Sequence, residues 1–431
     1  MTDRYVVAGN PVAHSRSPQI HTHFARRTGQ DMEYRRLLVA NGGFADAARE
    51  FFAGGGKGMN ITLPFKVDAF EFAGSLTPRA QQAGAVNTLA LLDDATLLGD
   101  NTDGAGLVRD LRHNLGWDIG GRRLLLLGAG GAARGVLGPL LAERPHSVVI
   151  ANRSPDKARE LALAFAGHGA VRGCAFADLD GEFDLLVNCT SASLAGEKLP
   201  LTGALIGRSS RCYDMVYAQR TTPFVEWALA AGAIATADGL GMLVEQAAES
   251  FLLWRGLRPE TGAVIEELRA PVAIRQALGA ADLGCAVGLF REYQQWLGVD
   301  LCFQDFEREL ASLPGLYAPP AGALLLAERG GRALGCVAMR PVADGVCEMK
   351  RLYIAPDGRD AGIGRALAMA VIELARRAGY HLMRLDTLER LHEAMTLYAS
   401  LGFKVRDPYY PNPLAGVVYW EKDLRNGKHD S

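Results

Sequence analysis

No stretch of this 431-residue chain runs apolar and unbroken for the roughly 18 residues that a membrane-crossing helix needs. Neither sign of charge is in excess. Lys and Arg number 46, Asp and Glu 48, and the net charge is -2, which gives no electrostatic footprint for nucleic acid or an anionic membrane. Cysteine occurs seven times, at Cys174, Cys189, Cys212, Cys285, Cys302, Cys336 and Cys347, never as a CxxC pair. Such an odd scatter excludes a disulfide framework and a zinc site, and predicts inert thiols in a reducing cytoplasm. The first residues carry Asp3 and lack a basic-then-apolar leader, so no export is expected. Internal repeats and low-complexity tracts are also missing.

What is present is a globular composition. Hydrophobic residues make up 49% of the chain, too many for a disordered polypeptide. At about 100–200 residues per domain, the length predicts roughly two to four domains. Short apolar runs at 123–127 and 147–151 are bounded by Gly or Pro, as buried parallel strands are. Amphipathic stretches of helical length lie between them, at 132–143 and 155–166. This strand–helix alternation predicts α/β layers. A boundary is expected near 270–271, where a closing helix at 259–269 gives way to a fresh strand. A softer one falls near 116–121, leaving two lobes with a cleft between them.

The run RRLLLL leads straight into Gly128, Ala129, Gly130, Gly131, Ala132, Ala133 and Arg134. Strand, glycine turn and helix in that order make a dinucleotide phosphate site. Bare backbone approaches the pyrophosphate, and the helix N-terminus offers free N–H groups. A NAD site wants an acid near the end of the next strand, for the ribose 2′-OH. Here SVVIAN is followed by Asn152, Arg153, Ser154 and Lys157. Cations without an acid favour a 2′-phosphate, hence NADP(H).

Four polar segments stand out before that turn: residues 10–18, with Ser17 read as a helix cap ahead of Pro18; 60–66 (N-x-T-x-P-x-K); 84–88 (GAVNT); and 99–104 (GDNTDG). Singly, each has a structural explanation. Together with 128–134, 152–154, 213–217 (YDMVY) and 239–246 (GLGMLVEQ), they resemble the shikimate dehydrogenase family, in order, over about residues 1–269. The resemblance implies a shikimate-binding lobe (1–116, with closing helices 239–269 packing back on it) and an NADP-binding Rossmann lobe (117–238). The implied reaction is reduction of 3-dehydroshikimate to shikimate by NADPH. Ser15 and Ser17 would bind the substrate carboxylate, with Tyr217 nearby. Thr62, Asn87 and Gln246 would hydrogen-bond hydroxyls, and Met215 and Gly239 would line the nicotinamide pocket. Lys66 would act as the acid, with Asp103 holding it in place, because hydride arriving at a carbonyl carbon develops charge on oxygen that must be neutralised. Ser154 stands where the family more often has Thr, and Pro78 where many members carry an acid. Quinate stays open as an alternative substrate.

Beyond residue 272 the order of segments changes. Two helices are expected at 280–297 and 303–313, then antiparallel strands at 323–329, 333–340 and 347–354. The turn Arg359, Asp360, Ala361, Gly362, Ile363, Gly364 follows, and after it a helix at 366–378. An R-x-x-G-x-G turn at a strand–helix join gathers backbone N–H groups around an anion, and no P-loop Lys-Ser/Thr follows. With CEMKRLYI (347–354) and AMTLYASLGF (394–403), this region resembles the GNAT superfamily of acyl-CoA N-acyltransferases over 272–425, a mixed-sheet domain. The resemblance implies that Arg359, Gly362 and Gly364 bind the acetyl-CoA pyrophosphate. Leu352, Tyr353 and Ile354 would line its pantetheine arm, and Tyr398 would protonate the leaving thiolate. Glu348, read as sharing a strand face with Lys350 and Leu352, is the expected base, against a cross-strand ion pair. The loop 408–413 (PYYPNP) is expected to line the acceptor pocket or to form a surface lid. The acceptor amine is not legible, since shikimate contains no nitrogen. A non-catalytic acetyl-CoA sensor is the competing reading for this half, and a homo-oligomer is left open.

Overall fold

Leu124, Leu125, Leu126 and Leu127 are all fully buried. Leu124 and Leu126 enter one hydrophobic cluster, Leu125 and Leu127 another. Burial on both faces is what a parallel sheet sandwiched by helices requires. The structure, a computed structural model, describes residues 2–13, 15–218, 220–299, 305–359 and 362–425. His14, Cys302, Phe303, Asp360 and Ala361, all parts of the expectations above, lie outside those residues. The chain divides into two compact units, Met1–Leu268 and Arg269–Ser431.

The first unit begins with strands β1 (Asp3–Gly9), β2 (Met32–Leu38), β3 (Gly56–Ile61), β4 (Ser75–Leu76), β5 (Thr88–Leu91) and β6 (Leu97–Asp100), in sheet order β2-β1-β3-β5-β6-β4. Helices α1 (Ser17–Thr28), α2 (Phe44–Ala53), α3 (Lys66–Phe72), α4 (Pro78–Ala83) and α5 (Asp103–Arg109) connect them. A second, all-parallel sheet follows: β7 (Arg123–Leu127), β8 (Ser147–Asn152), β9 (Val171–Ala175), β10 (Phe183–Asn188), β11 (Ile206–Asp214) and β12 (Ala235–Asp238), in order β12-β11-β10-β7-β8-β9. With it come α6 (Gly131–Ala142), α7 (Pro155–Ala164) and α8 (Pro223–Ala230). Finally α9 (Leu240–Arg255) and α10 (Gly262–Arg269) pack on α1 through Phe24, Val244, Phe251 and Ile265.

Two helix starts differ from the sequence reading. Ser17 is the first residue of α1, and Arg16 occupies the cap position, so its hydroxyl is free to accept from Ser15 Oγ at 3.2 Å. Residues 259–261 stay outside α10 because the Thr261 hydroxyl is engaged with Glu245 at 2.7 Å.

The second unit holds one mixed sheet. Its strands are β13 (Ala273–Gln276), β14 (Ala323–Arg329), β15 (Arg332–Ala343), β16 (Val346–Ile354), β17 (Leu382–Leu388), β18 (Lys404–Arg406) and β19 (Val417–Asp423), in order β13-β14-β15-β16-β17-β19-β18. Helices α11 (Ala280–Leu297) and α12 (Phe306–Ala311) cover one face, and α13 (Ile363–Arg377) with α14 (His392–Ser400) the other. β16 and β17 run parallel, yet their register spans only Val346–Glu348 against Leu382–Arg384. Beyond it the strands part. A bulge at Arg351, whose φ is 56°, accompanies the parting. Consequently Lys350 and Arg351 both reach partners on the α11/α12 side, while Leu352 packs into the α13 cluster. This corrects the expectation that Glu348, Lys350 and Leu352 share a face, since period two fails across a bulge.

His21 of α1 is wholly buried and stacked on Tyr34 with centroids 4.3 Å apart. Burial pushes its imidazole down to about 3. In the unfolded chain it titrates near the ordinary value of about 6.5. Its contribution is therefore present above about pH 6.5 and lost as pH falls toward 3, by up to about 1.4 kcal/mol per pH unit. His21→Phe should flatten the fall in unfolding free energy between pH 6.5 and 4.5. Parallel slopes for the two proteins in urea melts would contradict this.

Candidate active site

Lys66 opens α3 and Asp103 opens α5, from separate loops of the first lobe. The Lys66 ammonium donates to Asp103 Oδ2 at 2.5 Å. The other carboxylate oxygen accepts from Asn87 Nδ2 at 2.8 Å. Asn87 is itself fixed, because its Oδ1 accepts from the Thr102 backbone N–H and from the Thr88 hydroxyl, both at 2.9 Å. Gln246 Oε1 lies 3.3 Å from Thr102 Oγ1 and 3.4 Å from Asn87 Nδ2. That approach of α9 to α5 depends on Gly106, where a Cβ would sit 2.7 Å from the Gln246 backbone N.

Behind these groups runs a buried polar chain. Asn60 Nδ2 donates to Thr88 Oγ1 and to Ser250 Oγ, both at 3.0 Å, and Asn60 Oδ1 accepts from the Tyr34 hydroxyl at 2.7 Å. Thr88 and Ser250 touch at 2.8 Å. Ser250 escaped the sequence reading, and Asn60, Thr88 and Thr102 entered it only as motif letters. The one available signal was the i, i+4 spacing of Gln246 and Ser250, which puts them on one face of α9.

A cavity of about 990 Å³ contains Ser15, Ser17, Thr62, Lys66, Asn87, Asp103, Tyr217 and Gln246 in its wall. The same wall includes Gly128, Ala129, Gly130, Gly131, Ala132, Asn152, Arg153, Met215 and Gly239. Gly128 has φ 104°, and a Cβ there would meet Thr190 Cγ2 at 3.0 Å, so only glycine serves. Gly130 and Gly131 face open space, and the first turn of α6 carries no acid. Ser154 and Lys157 are exposed at the start of α7 and lie outside the wall, whereas Lys198, unremarked in the sequence, is part of it.

In the second unit, a cavity of about 110 Å³ fills the gap between β16 and β17. Lys350, Leu352, Asp386, Trp296 and Tyr398 are among its lining. Burial raises the Tyr398 hydroxyl above its ordinary pKa. Tyr353 and Ile354 continue β16 past the gap, outside the lining. Arg359 stacks over Trp296 at 5.0 Å. Gly362, with φ 68°, and Gly364 flank the start of α13. Glu348 is only 1% exposed and does not line the cavity. Its carboxylate holds Arg340 at 2.7 Å and accepts from the Tyr409 hydroxyl at 2.6 Å. The expectation of Glu348 as a ready base is therefore corrected. Across β15 and β16 it forms the ion pair instead.

Three family descriptions match the first unit: "Shikimate dehydrogenase substrate binding domain" over residues 7–89, "Shikimate / quinate 5-dehydrogenase" over 111–196, and "Shikimate 5'-dehydrogenase C-terminal domain" over 239–269. A shikimate dehydrogenase (NADP(+)) of Alkalilimnicola ehrlichii is 56% identical over 269 residues, covering 62% of this chain and 99% of that protein. The chain belongs to the shikimate dehydrogenase family. Among solved structures, an Ael1 enzyme from Pseudomonas putida is similar, with TM-score 0.60 and 45% identity over 62% of this chain and 99% of that one. Shikimate 5-dehydrogenase of Thermus thermophilus, solved in complex with NADP(H) and shikimate, has TM-score 0.54 and 31% identity over 61% and 97%. The remaining match is the acetyltransferase (GNAT) family, over residues 289–403. This shikimate dehydrogenase family member thus carries a second family's domain in the same chain. No described helix is long and apolar enough to cross a membrane.

Ser250→Ala should cost about 0.5–1.5 kcal/mol, because it removes one hydrogen bond from Asn60 Nδ2, whose two N–H groups still reach Thr88 Oγ1 and the Asn87 carbonyl. The check is urea unfolding, on the transition that abolishes oxidoreductase activity. A cost below about 0.5 kcal/mol would mean that the polar chain carries no strain-bearing role.

Proposed function

We propose that the first unit reduces 3-dehydroshikimate to shikimate with NADPH, and that the second transfers an acetyl group from acetyl-CoA to an amine. The observation that carries the first reading is the Lys66–Asp103 pair standing in one cavity with the Gly128–Gly131 turn. The names and identities of the relatives support it.

The turn fits a dinucleotide, with bare backbone at Gly130 and Gly131 and no acid in the first turn of α6. Gly128, Ala129, Gly130, Gly131 and Ala132 would hold the pyrophosphate, and Asn152 and Arg153 the 2′-phosphate, with Ser154 and Lys157 beside them. Met215 and Gly239 would flank the nicotinamide. When bound, NADPH would supply the hydride for the substrate carbonyl carbon. Lys66 Nζ donates the proton to the carbonyl oxygen as charge builds there. Asp103 accepts a hydrogen bond from Lys66 throughout and keeps that N–H aimed. In the reverse direction Lys66 takes the proton back. Ser15 and Ser17, with Tyr217 beside them, suit a carboxylate, and Thr62, Asn87 and Gln246 suit the ring hydroxyls. The two ends of the substrate are then fixed before the transfer.

For the second unit, the parting of β16 from β17 supports an extended arm pairing with the free edge of β16 near Leu352, Tyr353 and Ile354. Arg359, Gly362 and Gly364 suit the pyrophosphate. Tyr398, in the cavity and kept protonated by burial, suits the donor to a leaving thiolate and favours turnover over mere sensing.

Lys66→Ala is expected to lower kcat by about 10²–10⁴-fold while NADPH still binds in a fluorescence titration. A near-normal rate would remove Lys66 from the chemistry. Arg153→Ala is expected to weaken NADPH by about tenfold or more, the size of one charge-assisted hydrogen bond, and to leave NADH nearly unchanged. Equal losses in steady-state KM for both nucleotides would overturn the 2′-phosphate role.

A further inference from the structure

The second cavity contains a pair of opposite charges that the acyltransferase reading leaves unused. Lys350 Nζ and Asp386 Oδ1 are 3.4 Å apart, with the Lys350 side chain 7% exposed and that of Asp386 16%. Both line the cavity, together with Tyr398. Their contact is looser than the neighbouring Arg340–Glu348 pair at 2.7 Å. Lys350 reaches Glu348 only at 4.0 Å and lies 5.8 Å from the centre of the Tyr410 ring. Among the described residues its one hydrogen bond is to Asp386, which leaves donor capacity on an ammonium that lines the cavity.

We propose that the acceptor of the second unit is a zwitterionic α-amino acid, whose carboxylate pairs with Lys350 and whose ammonium pairs with Asp386. The proposal rests on the acyltransferase reading and adds the substrate class to it. Charge balance makes the selection. Glu348 is already balanced by Arg340, so a simple amine would leave the Lys350–Asp386 pair with an excess cation and a simple carboxylate would leave it with an excess anion. A zwitterion brings one of each and leaves the buried site neutral, which a low-dielectric pocket requires. At about 110 Å³, the cavity admits only the reacting ends, where the acceptor's amino-acid group would meet the thioester end of the arm.

Acetyl transfer from an acyl-CoA thioester then balances as follows. The acceptor ammonium gives one proton to Asp386, which later releases it to solvent. The freed nitrogen lone pair attacks the thioester carbonyl carbon, forming the C–N bond as the C–S bond breaks. The departing sulfur takes the Tyr398 hydroxyl proton, and the nitrogen's second proton restores that hydroxyl. The products are an N-acetylamino acid, CoA thiol and one proton.

The test uses the full-length chain. Acetyl-CoA binding is measured by calorimetry. Free-thiol release is then followed with the twenty common amino acids and with matched amines lacking the carboxylate, such as agmatine for arginine, cadaverine for lysine and tyramine for tyrosine. The expected result is turnover of at least one amino acid, with kcat/KM about a hundredfold below it for the matched amine. Lys350→Met should shrink that preference to less than about tenfold by slowing the amino acid alone. Asp386→Asn should stop turnover while acetyl-CoA still binds. Amines turned over as well as amino acids would overturn the proposal. So would bound acetyl-CoA with no amino acid turned over, although the acyl-CoA reading would then stand. Failure to bind acetyl-CoA would overturn both.

Discussion

The first unit is organised around one contact, the ammonium of Lys66 against the carboxylate of Asp103 at 2.5 Å. Each residue begins a helix. A helix N-terminus favours a carboxylate and disfavours an ammonium, so the Asp103 position is locally comfortable and the Lys66 position depends on its partner. Asp103 cannot tilt away, because Asn87 holds its other oxygen and the Thr102 backbone N–H in turn holds Asn87. The glycine at 106 and the i, i+4 pair Gln246 and Ser250 bring α9 against the same groups. A change far along the chain therefore reaches the reacting end through hydrogen bonds alone.

Much of this was legible in the residues. The leucine run of β7 and the glycine turn after it announce a parallel strand feeding a helix, since both are local and periodic signals. Lys66 and Asp103 stood in polar segments where a core would not want them. The back layer was not legible. Asn60 and Ser250 are 190 residues apart in the chain, and no spacing rule links a strand residue to a helix residue at that range. Lys198 was missed for a similar reason, as its loop carries no motif and only folding brings it to the cavity wall.

The misplaced face of Leu352 has a single cause. Counting in twos along 347–354 places Glu348, Lys350 and Leu352 together, and the extra residue at Arg351 breaks the count. A positive φ costs an arginine conformational energy, so something must repay it. Arg351 Nη2 meets Glu309 Oε2 at 2.5 Å and Nε meets Oε1 at 3.1 Å, a bidentate pair, while Phe306 lies under the guanidinium at 5.1 Å. Glu309 also accepts from the Tyr317 hydroxyl. Arg351 holds the Glu309 carboxyl below its ordinary pKa even though burial alone would raise it.

That pair has a structural consequence for the cavity. α12 supplies Glu309 and Phe306, so docking of α12 fixes the bulge, and the bulge sends Lys350 and Arg351 to the same side of β16. Without the bulge, strict alternation would carry Arg351 into the apolar α13 face, where a guanidinium has no counter-ion among Met349, Leu367 and Val371. The bulge thus keeps the Arg351 guanidinium out of the apolar layer and on the side of its carboxylate partner. The gap that results between β16 and β17 is where Lys350 and Asp386 meet. In both units a paired cation and carboxylate line a cavity. In the first unit, two helix starts converge on it. In the second, two parallel strands separate.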